Sequence, residues 1–158
     1  MDTHPFAPVF DENSVLLILG SFPSVKSRAQ GFFYGHPRNR FWKVLSGICG
    51  GKVPVSIPEK KVFLLQHNIA LWDVVCSCDI TGSADASIKN VTPCGIPELL
   101  KKTKIRKILL NGNKAAELYS RYLAADITIP AARLPSTSPA NAAWPLEKLI
   151  AAWRTEFI

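Results

Sequence analysis

Five apolar residues in a row, Val15 to Leu19, end abruptly at Gly20. A run so short and so unbroken by polar residues describes a strand buried on both faces, the kind found inside a parallel sheet. Ile105 to Leu110, closed by Asn111-Gly112, has the same character, and Ile69 to Val75 reads as a third strand. A fourth lies near Ile127 to Leu134, its start blurred by Pro130. Helical spacing recurs between the strands. Phe41, Val44, Leu45 and Ile48 share a face of a helix that begins near Arg40, and Pro58 is placed to open another through Phe63 and Leu64. A short helix from Pro97 and a longer one over Lys114 to Leu123 follow. Leu146, Leu149, Ile150, Trp153 and Phe157 form the clearest helical stripe, near the carboxyl end. Strands alternating with helices predict an α/β fold, a three-layer α/β/α sandwich around a mainly parallel sheet of about four strands. The chain has 158 residues, the size of one domain, so residues 1–158 are expected to share one core.

In such folds ligands bind beyond the carboxyl ends of the strands. Three polar stretches follow predicted strands: Ser21 to Asn39, Cys76 to Gly95 (read as a loop) and Pro135 to Ala142. All three should converge on one rim. The excess of 19 Lys+Arg over 12 Asp+Glu, a formal charge of +7, favours a polyanionic partner, although many basic proteins never touch nucleic acid. The cluster Lys101, Lys102, Lys104, Arg106 and Lys107 precedes a strand, which puts it at the rim opposite the polar stretches. No secretory signal is visible at the amino end, and Val15 to Leu19 falls far short of the ~20 apolar residues of a membrane span, so an intracellular, cytoplasmic protein is expected. Cys49, Cys76, Cys78 and Cys94 show neither a CxxC nor a finger-type Cys/His spacing. Free structural thiols are the expectation, with no metal and no cofactor.

The chemistry-bearing residues cluster in two segments. GSFPSVKSRAQGFFYGHPRNRFW runs from Gly20 to Trp42, and LPSTSPAN from Leu134 to Asn141. Gly20 and Ser21 allow backbone amides to approach a ligand closely. Phe32, Phe33 and Tyr34 are either a packed flap or a surface for an extruded base, and His36, Arg38, Asn39 and Arg40 follow at once with the cations and amides that suit phosphates. In the second segment the prolines fix the backbone while hydroxyls and amides stay available. Asp73, at a predicted strand end, serves equally as a reader of a base edge or as a cap for the next turn.

Together these segments resemble the two signature motifs of the uracil-DNA glycosylase superfamily. GSFP with YGHPRNRFW and LPSTSPAN is most similar to its hypoxanthine-DNA glycosylase branch, in order and over nearly the whole chain. The mismatch-specific branch is related through HPxNRFW. Some relatives carry an iron–sulfur cluster on four cysteines, in a different layout. Many members have Asn or Asp where this chain has Phe22, and the hypoxanthine branch shares that absence. The resemblance therefore implies a monofunctional glycosylase in which Asn39 is catalytic and holds the attacking water through its amide oxygen. It implies base contacts at Tyr34, Phe22, Ser21 and Asp73, and DNA contacts at Ser136, Ser138, Asn141, His36 and Arg38. The expected partner is DNA with a deaminated base, hypoxanthine first, bound by a monomer. Removal of uracil, alone or in G·U mismatches, is one alternative; a non-catalytic binder of damaged DNA is another. Asp85 and Ser87 match the family pattern without a derivable role.

Overall fold

The computed structural model describes residues 1–157. Four parallel strands form the central sheet: β2 (Leu16–Gly20), β3 (Ile69–Asp73), β6 (Lys107–Asn111) and β7 (Ala131–Leu134), in the order β3-β2-β6-β7. Every residue of β2 is buried, because it lies between two neighbours and under both outer layers. On one face Leu16, Ile18, Ile69, Leu71 and Leu109 pack under α2 (Phe41–Cys49), α3 (Ile57–Gln66) and α6 (Leu146–Arg154). Leu17, Leu19, Ala70, Ile108 and Leu110 on the other face meet α4 (Ile96–Lys101) and α5 (Asn113–Tyr122). This is the three-layer α/β/α arrangement that the alternation of apolar runs and helical stripes predicts.

The polar stretches hold more structure than expected. A second sheet, antiparallel and in the order β1-β4-β5, joins β1 (Asp2–Thr3), β4 (Val75–Asp79) and β5 (Lys89–Pro93). Cys76 to Gly95 is therefore not a loop, and the strand predicted from Ile69 to Val75 ends at Asp73. β5 is mostly exposed and its alternation is weak, so its strand character comes from pairing rather than from its own pattern. Within Ser21 to Asn39 lies a short helix, α1 (Val25–Gln30), capped by the Ser24 side chain, which accepts from the Ser27 N–H at 3.1 Å. β7 starts only after Pro130, which has no N–H to give the ladder but whose carbonyl accepts from Ile108 N at 2.9 Å.

The expectation of free thiols fails for one pair. Antiparallel pairing sets Val75 opposite Pro93, which brings Cys76 and Cys94 within 4.7 Å at their α-carbons, and they form a disulfide. Cys49 and Cys78 are free and pack into opposite faces of the core. The basic cluster does lie at the far rim, since the amides of Lys104 and Arg106 donate to Ser14 and Val15 at the amino end of β2. None of the described helices is long and apolar enough to cross a membrane.

Candidate active site

At the carboxyl ends of β2, β3 and β6 the rim encloses a cavity of about 350 Å³. Gly20, Ser21 and Phe22 follow β2, Asp73 ends β3, Asn111 ends β6, and the loop after β7 contributes Ser136 to Ala140. Tyr34, His36 and Asn39 come from the segment between α1 and α2, Asp85 from the stretch before β5. The cavity opens into a wider groove of about 880 Å³ that shares Asp85, Asn111, Ser136 and Ser138 and continues to Lys114, Arg133 and Asn141.

One corner is built around Gly20. A β-carbon there would stand 2.5 Å from Asp73 Oδ1 and 2.8 Å from the Tyr34 hydroxyl, so only glycine lets both groups come this close to the strand. Asp73 is 3% exposed and its Oδ2 lies 2.7 Å from His4 Nε2. It binds a side chain from the amino-terminal segment and does not serve as a turn cap. His4 was not foreseen; the His4 N–H donates to Cys76 O at 2.7 Å beside β4, and no pattern near His4 announces that meeting. Tyr34 holds a left-handed backbone (φ 53°), unusual for a residue with a β-carbon. Its ring stacks on Phe41 with centroids 4.0 Å apart. Its buried hydroxyl has no hydrogen-bond partner among the described residues. Burial, and then the field of Asp73, push the phenol well above its ordinary range, so it remains a neutral donor.

Asn39 is fixed by its surroundings. Its Oδ1 accepts from Phe41 N at 3.0 Å and from the Thr137 hydroxyl at 2.8 Å. Thr137, fully buried, is itself set by Asn111, which donates to Oγ1 and accepts from the Thr137 amide, both at 3.1 Å. An N–H must find an oxygen, so Phe41 decides which end of the carboxamide faces inward and Nδ2 is the end left over. Both lone pairs of the amide oxygen are engaged, and Nδ2 is the end with no partner among the described residues.

The two signature segments are locked together by a residue outside the expected site set. The Arg40 guanidinium donates to the carbonyls of Ser138 (3.2 Å), Asn141 (3.0 Å) and Trp144. Ser136 and Ser138 accept from the amides of Ser138 and Ala140, both at 3.1 Å, which leaves each hydroxyl proton free to donate. Asn141 turns its Nδ2 back to Ser136 O at 3.0 Å and keeps its oxygen. His36 Nδ1 accepts from Arg38 N at 3.0 Å, which braces the loop and leaves the proton on Nε2. Arg38 is exposed and stands outside the cavity lining. Phe22 is buried in the core, with the Arg28 guanidinium 5.4 Å from its ring centroid, and still lines the cavity. Ser21 donates its hydroxyl to Asp85 Oδ1 at 3.2 Å. Ser87, without a derivable role in sequence, accepts from Thr81 N at 2.8 Å and donates to Ala84 O at 2.6 Å, holding the turn that carries Asp85.

Comparison with known proteins shows the family to which the chain belongs. The family described as the uracil DNA glycosylase superfamily matches residues 7–156. A hypoxanthine DNA glycosylase of Methanosarcina acetivorans is 37% identical over 140 residues, 86% of each chain. One from Methanosarcina barkeri is 35% identical over 120 residues, 74% of this chain and 75% of that protein. Among solved structures, the solution NMR structure of a Methanosarcina acetivorans protein described provisionally as a uracil DNA glycosylase superposes with a TM-score of 0.79. That protein is 32% identical, and the match covers 95% of both chains.

Proposed function

The chain belongs to the uracil-DNA glycosylase superfamily, and from that premise we propose that it is a monofunctional DNA repair glycosylase that removes hypoxanthine. The observation that carries this reading is the corner over Gly20, where a carboxylate acceptor and an unpartnered hydroxyl donor lie together. Hypoxanthine presents an N1–H donor beside an O6 acceptor. Asp73 Oδ1 takes the N1–H, and the Tyr34 hydroxyl is available to O6. Adenine presents an N1 lone pair at that place, which a carboxylate repels.

In this mechanism the nucleotide rotates out of the duplex and its base packs against the aromatic wall that Phe22 forms, while Tyr34 meets the base edge through its hydroxyl. Such contact is worth about 1–3 kcal/mol and accepts several bases, so the wall aids extrusion and the polar corner selects. The backbone amides of Ser21 and Phe22 stabilise the purine as it departs. Asn39 Nδ2 donates to the attacking water and aims a lone pair at C1′. Ser136, Ser138 and the Nε2–H of His36 hold phosphate and sugar oxygens; Asn141 and Arg38 contact the flanking backbone. The residues lining the cavity include no lysine, and the nearest lysine of the site, Lys114, lies out in the groove, so strand scission is not expected. We take the working form to be a monomer in the compartment that holds DNA.

Uracil offers N3–H beside O4, the same pair of functions, so the polar corner also favours the uracil and G·U reading. Duplexes carrying hypoxanthine, uracil or xanthine, treated with enzyme and then alkali, separate the readings. The expected order places hypoxanthine first, and Asn39→Ala lowers its single-turnover rate by about 10²–10³-fold, as loss of one preorganised donor does. Preference for uracil replaces the substrate assignment. Tight binding without abasic product replaces the enzyme with a damage sensor.

A further inference from the structure

We propose that Asp85 is the general base that accepts the proton of the attacking water, an inference that rests on the glycosylase reading above. The case is one of elimination and access. A positioned proton acceptor speeds the attack of water, and Phe22 supplies none. Asn39 has both lone pairs of its amide oxygen engaged. Asp73 is buried, one of its oxygens is held by His4 and the other is taken by the base edge in the proposed function. His36 Nδ1 already accepts a backbone N–H. Serine hydroxyls and backbone carbonyls do not take up a proton at neutral pH.

Asp85 differs from all of these. It lines both the cavity and the groove, so it stands where water enters and from where a proton can leave. Ser21 occupies Oδ1 at 3.2 Å, while Oδ2 has no hydrogen-bond partner among the described residues. Its turn is fixed from several sides: Val25 N donates to Ser83 Oγ at 2.9 Å, Arg28 to Gly82 O at 2.6 Å and Thr81 N to Ser87 Oγ at 2.8 Å.

The step balances simply. A water lone pair forms the bond to C1′ as the C1′–N9 electron pair leaves with the purine. The water proton passes to Asp85 Oδ2 and on to solvent, and solvent returns a proton to the purine anion. The charged groups around Asp85 are Lys114, Glu117 and Arg133 across the groove, with Asp73 and His36 in the cavity. Desolvation by the walls raises the carboxyl above its ordinary range, against the opposing effects of the Ser21 hydrogen bond and Lys114. That direction suits a base, which is more effective the closer its pKa lies to the working pH.

The test compares wild type with Asp85→Asn and Asp85→Glu, by single-turnover excision across pH and by affinity for a duplex with a tetrahydrofuran abasic analogue. Asp85→Asn keeps an acceptor for Ser21 and should lose at least ~100-fold in rate with analogue affinity and melting temperature preserved. Asp85→Glu should recover part of the rate. The acid limb of the wild-type profile should lie above the ordinary carboxylate range and vanish in Asp85→Asn. An active wild type with Asp85→Asn at the same rate overturns this role alone, as does a rate loss matched by lost analogue affinity. A wild type that frees no base from any of the three substrates overturns the glycosylase reading and this role with it.

Discussion

A carboxamide has a donor end and an acceptor end, and the chemistry of the cavity turns on which one faces inward. Sequence places Asn39 in the right segment; the Phe41 amide and the Thr137 hydroxyl then claim its oxygen. Their partners lie two residues and 98 residues away, and only the near one has a local rationale, as an acceptor next to the start of a helix. Gly20 is legible too, as a glycine closing a buried run, but the reason for it is not, because Asp73 and Tyr34 arrive from elsewhere. Its replacement is a sharp probe. In Gly20→Ala the new methyl forces Asp73 Oδ1 or the Tyr34 hydroxyl off the corner, since 2.5 and 2.8 Å are too close for any β-carbon. We expect a loss of excision far larger than any change in affinity for the abasic analogue, which has no base to place there. Equal losses in the two assays would show that the corner does not read the base.

Elements with a strong pattern of their own are the ones the sequence reveals. α6 shows its stripe plainly, and Leu149 and Trp153 are completely buried, with the Trp153 indole N–H bonded to Pro135 O at 2.9 Å. That bond lets a core helix brace the second signature loop. β4 and β5 have no comparable stripe; they become strands by pairing with each other and, through β4, with β1. Their disulfide closes a loop with a sequence separation of 18. A cross-link of this span restricts the unfolded chain by about 3 kcal/mol. Thiol titration of the denatured, unreduced protein should find the two cysteines left free, Cys49 and Cys78, and four after reduction. Reduction should then lower the melting temperature. Four reactive thiols without reductant would mean that the pair is open in solution.

At the scale of the molecule, charge and topology act together. The formal charge is +7, and the basic cluster before β6 lies at the rim opposite the cavity. The cations that line the groove, Lys114 and Arg133, are the ones placed to meet phosphates. We therefore expect a salt dependence much shallower than the whole charge would give, with a slope of about −0.9 per phosphate neutralised. Binding titrations from low to moderate salt measure it, and a slope near the full charge would show that the far rim engages DNA. The sequence alone determined the buried strands, the helical stripes, the alternation that forces a parallel sheet and the two segments that bear the chemistry. All of these depend on spacing along the chain, and local periodicity records spacing. The tertiary structure alone decided that His4 meets Asp73, that Arg40 clamps the second segment, that Cys76 bonds Cys94 and that Thr137 meets Asn39. Each is a contact between residues far apart in sequence, and such a contact leaves no trace in the local pattern of either partner.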